Sequence, residues 1–338
     1  MRIPRICSCL VALGLVMLAW PRVGHAQNPD PGAAEKYGWG FRNFSDTVFT
    51  WDIFSHSFFG IPADSNGTWL SAPFDKLFYE LGFKTKLPNP DNDHQGIGNC
   101  YGICLLSLMV NRFGGYYGYC APTNAWKGDT NWNNAKGPLD PALHRVVNIM
   151  HGRQMSLGSI QSYIDQFDGF NSMHCQNAVG RAREAIAKEG PCIVTLSQTQ
   201  NPIGGGHALI AYGVTDEGGG HTRIWIVDPN RLWAVPTPRD RGWYQLDSNY
   251  IDCNMVTGTW SFIMKGPEKW PTDPMGGNLM ILPLSLVGPP GRSPSSLGLG
   301  AADLLNQIML TDGAQSVDAE AFLKHSRGVP EVTLRQVR

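Results

Sequence analysis

The sequence predicts an α+β fold in which helices come first and an antiparallel sheet follows. Helix-type patterns occupy the chain up to Gly190, whereas the segment from Cys192 onward alternates short β-rich runs with turn residues. Helices and strands that are segregated in this way are typical of α+β architecture. With 338 residues, of which 42% are hydrophobic and 16% charged, the chain is long enough to bury a sizeable core.

The first 26 residues have the pattern of a removable export signal. Two arginines precede an apolar run at residues 6–20, and small residues at positions 24 and 26 suit cleavage before Gln27. The run is short for a membrane span, so we expect a periplasmic or secreted protein with no membrane span after signal removal. Removal takes away three arginines and no acidic residue, which changes the net charge from −1 to −4. Nothing in this balance favours a nucleic-acid partner.

An aromatic-rich N-terminal extension is predicted at residues 27–93. Its segment FDKLFYELGFK, residues 74–84, has the pattern of a short amphipathic helix. The other aromatic residues could form a binding surface, but aromatic side chains are more often buried than exposed. Core packing is therefore the favoured role.

Three further helices are predicted before the sheet. Residues 100–113 are apolar almost all round, so this helix should be central and buried. Residues 158–167 predict a short helix, and residues 177–189 a longer one with Asn177 as its N-cap and Gly190 as its terminator.

The strands are predicted from six β-rich runs separated by turn residues, and the sheet is expected to end near Pro283. The runs are CIVTLSQ, HALIAYGV, TRIWIVD, LWAVP, WYQL and TWSFIM. Residues 284–338 are then predicted to be a Pro/Gly/Ser linker, around GPPGRSPSSLGLG at residues 288–300, followed by a loosely attached helical tail.

Cys100 lies in the stretch HQGIGNCYGICLLSL, residues 94–108, where a glycine-rich segment meets the central helix. Asn99 is a good N-cap, which places Cys100 in the first helical turn. Unpaired N–H groups and the helix dipole lower the pKa of a thiol there, and the same N–H groups can bind an oxyanion. The position predicts a nucleophile, whereas Cys104, one turn deeper, predicts packing or a disulfide.

Two other roles for the cysteines stay open at this point. Six of them remain after signal removal, and exported proteins usually pair their cysteines, so three disulfides are the ordinary alternative. A metal site is disfavoured because the Cys100–Cys104 spacing is not matched by a second close Cys/His pair. We predict no metal and no cofactor.

A base for Cys100 is predicted in GGGHALIAYGVTDEGGGHTRIWIVDPN, residues 204–230. Two β-rich runs flank the turn signal TDEGGG, which indicates an antiparallel hairpin. A hairpin that is symmetric about this turn brings His207 and Asp228 together at its open end. An imidazole with a carboxylate partner is the usual base of a thiol nucleophile, and Asn230 is the alternative orienting residue.

Residues 94–265 resemble the papain-like cysteine peptidase superfamily and are similar to its bacterial bacteriocin-processing, double-glycine-leader branch. The segment QGIGNCYG matches the glutamine-to-cysteine entry into the central helix. The segments HALIAYGV and IWIVDPN match the strands that carry the histidine and the orienting residue. The resemblance implies a papain-like domain at residues 94–283, in which the central buried helix carries the cysteine and packs against an antiparallel sheet.

The resemblance also implies roles for individual residues. It makes Cys100 the nucleophile, His207 the base, Asp228 the orienting residue and Gln95 the oxyanion-hole glutamine. Gln95 stands five residues before Cys100, where these families have six, so His94 is the alternative. The implied reaction is acyl transfer from a peptide or protein substrate through a thioester. A transglutaminase-like acyltransferase or cell-wall amidase, and a non-catalytic binding module, are the competing hypotheses.

Overall fold

The computed structural model describes residues 29–41, 43–44, 49–61, 73–83, 98–114, 141–166, 174–197, 206–231, 249–265, 268–270 and 277–297. The predicted export signal, the runs LWAVP and WYQL, and the chain beyond residue 297 lie outside them.

The described chain is mixed α+β, and most of its helices precede the sheet, as the sequence predicts. None of the helices in the described ranges is long and apolar enough to cross a membrane. The helices are α1 (Ala33–Tyr37), α2 (Trp51–Ser57), α3 (Pro73–Phe78), α4 (Cys100–Phe113), α5 (Pro141–Gly152), α6 (Leu157–Gln166), α7 (His174–Glu189) and α8 (Leu284–Val287).

An antiparallel seven-stranded sheet follows in the order β7-β6-β5-β4-β3-β2-β8. Two further short strands, β1 and β9, pair in parallel with each other. The strands are β1 (Phe58–Phe59), β2 (Cys192–Ser197), β3 (Gly206–Gly218), β4 (His221–Val227), β5 (Tyr250–Asn254), β6 (Thr259–Lys265), β7 (Glu268–Trp270), β8 (Leu279–Leu282) and β9 (Gly291–Arg292).

The sheet carries α4 on one face and α7 on the other. Successive residues of a strand point to opposite faces, and β2 shows the consequence. Ile193 belongs to the hydrophobic cluster around α4, whereas Cys192 and Val194 belong to the cluster around α7. Both faces are buried, so β2 is apolar along most of its length and does not alternate with polar residues.

Helix α4 is the central buried helix that the sequence predicts. Its residues are buried from Cys100 to Val110, and the helix ends at Gly114, whose φ of 73° is a left-handed conformation that glycine adopts without strain. Trp39 of the N-terminal region packs in the same cluster and donates its indole N–H to the carbonyl of Ile103 at 3.1 Å. The aromatic residues at 37–44 are therefore part of the core that holds α4.

A second aromatic cluster lies at the other end of the N-terminal region. Phe54 of α2 contacts Phe58, Phe78 and Phe83 with ring centroids 5.1–6.1 Å apart, and Ile149 of α5 belongs to the same cluster. Edge-to-face and tilted aromatic pairs of this kind add to the burial of apolar area. This cluster fixes α2 and α3 against α5, the helix that packs directly on α4.

Two predicted boundaries are wrong for reasons of tertiary contact. Helix α7 begins at His174, so Asn177 lies inside it and is not its N-cap. His174 accepts a hydrogen bond from the Leu279 N–H at 2.9 Å, which ties the extra turn to β8. Helix α3 ends at Phe78 and continues as a π-helical turn, Tyr79–Phe83, where the sequence predicts one continuous helix.

The prediction of a linker from residue 284 onward is wrong for residues 284–297, which pack on the domain. Val287 is buried, Arg153 donates to the Gly288 carbonyl, and Gly291 pairs with Phe58 between β9 and β1. Ser295 donates its hydroxyl proton to Asp75 of α3. Composition suggests a tether here, but the backbone polar groups of this segment find partners on the domain and order it.

Gly102 allows α4 and α5 to approach closely, and this generates a stability prediction. A Cβ at Gly102 would lie 2.2 Å from the Val147 carbonyl oxygen, which is backbone and cannot move aside. We expect Gly102→Ala to lower the free energy of unfolding by about 2 kcal/mol or more, as overpacked cores do. The measurement is urea unfolding followed by circular dichroism.

Gly180 of α7 is the matched control for Gly102. It is exposed, and nothing lies within 4 Å of a Cβ built there. Gly180→Ala should raise the free energy of unfolding by about 1 kcal/mol, because alanine loses less backbone entropy in a helix. Equal effects of the two substitutions would contradict the proposed helix contact.

Candidate active site

Cys100 is the first residue of α4, as predicted, but Asn99 does not cap the helix in the predicted way. The Asn99 side chain makes no capping hydrogen bond and instead donates to Asn148 Oδ1 on α5 at 3.3 Å. The first intrahelical bond runs from the Ile103 N–H to the Asn99 carbonyl at 3.0 Å. The amides of residues 100–102 therefore precede the helical hydrogen-bond ladder, where an anion is favoured.

The two thiols of α4 face the backbone of one residue of β3, Ala208. The Ala208 N–H donates to Cys100 Sγ at 3.4 Å, and Cys104 Sγ donates to the Ala208 carbonyl at 3.4 Å. A sulfur that accepts a hydrogen bond from an N–H is well placed to be a thiolate, whereas a sulfur that donates a hydrogen bond must keep its proton. Cys100 is 8% exposed and Cys104 1%, so the sulfur at the helix terminus is also the more accessible one.

His207 and Asp228 lie at the open end of the β3–β4 hairpin, where the sequence predicts them. His207 Nε2 is 2.7 Å from Asp228 Oδ1, and both side chains are almost fully buried. Since the carboxylate can only accept, Nε2 carries the hydrogen, which leaves Nδ1 to face Cys100. The Cys100 side chain lies close enough to His207 to contribute to a raised pKa of the ring. The structure thus brings the three predicted side chains into one connected row.

The hairpin register differs from the predicted one, although the pairing of side chains survives. The prediction centres the hairpin between Glu217 and Gly218, but the turn lies two residues later, at Gly219 and Gly220 with φ of 62° and 81°. Two register shifts in β3 recover part of the difference, so that Ile210 pairs with Val227. In that register Asn230 would stand opposite His207 if the strand continued.

The chain leaves β4 at Asp228, and this decides between the two orienting candidates. The carboxylate turns back so that its Oδ1 accepts from the Asn230 N–H at 2.8 Å as well as from His207. The Asn230 side-chain amide lies farther from the ring, with its Nδ2 3.3 Å from His207 Nε2. Asp228 is therefore the acceptor that orients the ring, and Asn230 supports Asp228 through its backbone.

The charges in this row stabilise the ionised forms of both His207 and Asp228. Burial disfavours a charged ring, but the Asp228 charge, its hydrogen bond and the Cys100 side chain outweigh burial and raise the pKa of His207 to about 10. Burial likewise opposes a charged carboxyl. The charge and hydrogen bond of His207, with the Arg231 charge and the Asn230 N–H, nevertheless hold the pKa of Asp228 below its ordinary value.

The other described thiols are buried away from these charges or are kept protonated. Burial, with the nearby Cys100 and Asp228, raises the pKa of Cys104 well above its ordinary value. Burial raises the pKa of Cys192 to about 12. A hydrogen bond with Cys175 and then burial raise the pKa of Cys253. These five cysteines are free thiols in the structure, and Cys120 lies outside the described residues.

A short N-terminal segment, residues 43–44, joins the two halves of the site, and sequence reasoning missed it. The Asn43 N–H donates to the Pro229 carbonyl at 3.0 Å, while the Asn99 N–H donates to the Phe44 carbonyl at 2.8 Å. The Asn43 side chain also fills the space beside Gly98. The aromatic composition around this segment signals core packing but not a link to the site.

Gln95 and His94, the two candidates for the oxyanion hole, lie outside the described residues. Gly102, two residues after Cys100, faces Val147 and His151 of α5. Within the described part of the chain, no group of three or more metal-type side chains could hold a metal ion. Comparison with protein-family models, with curated proteins and with solved structures found no match to this chain.

Removing the Asp228 charge should change the pH dependence of Cys100 alkylation. Iodoacetate is an anion that an imidazolium attracts, so its reaction with Cys100 should fall when His207 loses its proton. Asp228→Asn keeps the shape but removes the charge that raises the pKa of His207, so this fall should begin at lower pH. The rate at neutral pH should drop about tenfold. Rates are measured by mass spectrometry of the peptide that contains Cys100.

Asp252→Asn is the matched control, because Asp252 pairs with His221 Nδ1 at 3.2 Å on the same sheet but in a more exposed place. It should leave the Cys100 profile unchanged. If Asp228→Asn has no effect while Asn230→Ala removes the reactivity, Asn230 is the orienting residue and Asp228 is not.

Proposed function

We propose that this protein is a papain-like thiol hydrolase that cleaves amide or ester bonds in peptide or protein substrates. One observation carries the proposal: a cysteine at the N-terminus of a buried helix lies beside a histidine that a buried aspartate holds at 2.7 Å. A nucleophile, a base and an orienting group that contact one another in this order are the groups that catalyse acyl transfer. The packing of α4 against an antiparallel sheet supports the papain-like assignment.

The first chemical step uses the row of charges at the site. His207 holds the proton of Cys100, and the thiolate attacks the substrate carbonyl carbon. The developing oxyanion is stabilised by the N–H groups at the start of α4, to which the family resemblance adds Gln95. The Ala208 N–H, 3.4 Å from Cys100 Sγ, stabilises the thiolate before attack.

The second step releases the leaving group. The Cys100 side chain contributes to the raised pKa of His207. Once the Cys100 sulfur has bonded to the carbonyl carbon, its negative charge is gone, so the imidazolium holds its proton less tightly. It protonates the leaving amine or alcohol as the tetrahedral intermediate collapses to the thioester. Water, deprotonated by His207, then hydrolyses the thioester and regenerates the thiol. The Asp228 charge keeps the ring oriented throughout.

An acyltransferase would use the same three residues, and a binding module would leave Cys100 unreactive. The acceptor separates the first alternative, since a transglutaminase-like enzyme passes the acyl group to an amine in preference to water. We include export in the proposal because residues 1–26 carry the signal pattern.

The proposal predicts a covalent acyl-enzyme at Cys100. With p-nitrophenyl acetate, the protein should release a burst of p-nitrophenol that is stoichiometric with the enzyme. Mass spectrometry should find the acetyl group on the peptide that holds Cys100. Cys100→Ser should remove the burst, whereas Cys104→Ser should retain it, because the raised pKa of Cys104 keeps that sulfur protonated.

A burst that survives Cys100→Ser and disappears in Cys104→Ser would show that Cys104, and not Cys100, is the nucleophile. A primary amine added to the reaction distinguishes the two enzyme classes. Release of acetate over acetylated amine supports the hydrolase, and the reverse supports the acyltransferase. Absence of any acetyl-enzyme in the wild-type protein would contradict both enzyme hypotheses and favour the non-catalytic binding module.

A further inference from the structure

We infer that Arg231 is a positioning residue that fixes the carboxylate of Asp228 and keeps it ionised, so that the Cys100–His207 pair can form. This inference rests on the proposed function, since it concerns the same row of side chains. Neither the sequence pattern nor the resemblance assigns a role to Arg231. Its assignment comes from contacts that the fold alone creates.

Arg231 is a buried arginine that β6 and the residue preceding β5 hold in place. Its Nη1 donates to Asn249 Oδ1 and its Nη2 to the Ile263 carbonyl, each at 2.5 Å. Its guanidinium also lies 5.3 Å from the ring centre of Phe262. An arginine that is 5% exposed and bonded at both terminal nitrogens cannot swing into solvent, so its charge has a fixed direction.

The remaining nitrogen of the guanidinium faces Asp228. Arg231 Nε lies 3.3 Å from Asp228 Oδ2, a charge contact, while Oδ1 accepts from His207 and from the Asn230 N–H. The two carboxylate oxygens therefore have different partners on opposite sides. Rotating the carboxylate away from His207 would also break the contact with Arg231, so Arg231 helps to lock the orientation of the imidazole.

The charge of Arg231 also balances the row. With Cys100 as thiolate, the row reads positive, negative, positive, negative from Arg231 to Cys100, which sums to zero. Without Arg231 the same row carries one net negative charge in a buried place, and isolated buried charge is costly. Among the described residues, Cys104 of α4 also lies near this carboxylate, and burial, with the charges of Cys100 and Asp228, raises its pKa so that the thiol stays protonated.

Loss of Arg231 should therefore let Asp228 take up a proton more readily. The Arg231 charge is one of the causes that hold the pKa of Asp228 below its ordinary value. A group with a depressed pKa loses its ionised form as the pH falls, and removing a cause of the depression moves that loss to higher pH. A neutral Asp228 no longer stabilises the imidazolium, so the reactive form of Cys100 disappears with it.

The test measures alkylation of Cys100 by iodoacetamide against pH in the full protein. This reagent is neutral, so the loss of a charge in the protein does not change its attraction to the site. In Arg231→Met the acidic limb of the profile should move to higher pH, and on that limb the rate should fall about tenfold for each pH unit of the movement. Arg231→Lys keeps the charge and should keep the acidic limb near its wild-type position.

Arg223→Met is the matched control. Arg223 also pairs with a carboxylate, Glu217 at 3.2 Å, and lies 4.0 Å from the Tyr250 ring centre, but at the turn end of the hairpin. This substitution should not move the profile. A general loss of packing in the sheet would affect both arginine variants alike.

The double variant Asp228→Asn with Arg231→Met distinguishes the effect of the Arg231 charge from the effect of its packing. It can also be used where Arg231→Met alone does not fold, because no buried carboxylate is then left without its partner. Adding Arg231→Met to Asp228→Asn should cause no further movement of the acidic limb. A further tenfold loss there, or a wild-type profile in the single variant, would overturn the role of Arg231. If wild-type Cys100 reacts no faster than a free thiol, the proposed function itself fails instead.

Discussion

The contact between His207 and Asp228, at 2.7 Å in a place from which water is almost excluded, is the interaction on which the site depends. Each group alone would pay several kcal/mol to be buried as an ion. Together, with Arg231 behind the carboxylate and Cys100 beyond the ring, they form a row in which every charge has an opposite neighbour. That arrangement raises the pKa of His207 and lowers that of Asp228, although burial opposes both shifts.

The fold brings this row together from parts that are distant in sequence. Helix α4 supplies the nucleophile, the open end of the β3–β4 hairpin supplies the base and its acceptor, and residues 43–44 tie the start of α4 to the turn after β4. Helix α5 presses against α4 where Gly102 allows close approach, so the helix that carries Cys100 has little freedom to shift. The geometry of the site is thus a consequence of core packing on both sides of α4.

Much of this arrangement could be predicted from the sequence, because periodicity and turn signals are local. The central helix with Cys100 at its start follows from an apolar run after a glycine-rich segment, and the closeness of His207 and Asp228 follows from a hairpin around TDEGGG. The register was not predictable, since two shifts in β3 move the turn to Gly219 and Gly220. The contact survived because Asp228 leaves the strand and turns back. Arg231, by contrast, acquires its role from Asn249 and Ile263, which no local pattern links to it.

The protonation state of the His207 ring tests the central claim most directly. In protein labelled with ¹⁵N in its histidine rings, the shifts of Nδ1 and Nε2 report whether the ring is imidazolium or neutral, and His207→Gln identifies the signals. We expect His207 to be imidazolium at neutral pH and to lose its proton only near pH 10. A ring that titrates near its usual pKa of about 6.5, or stays neutral at pH 7, would contradict it.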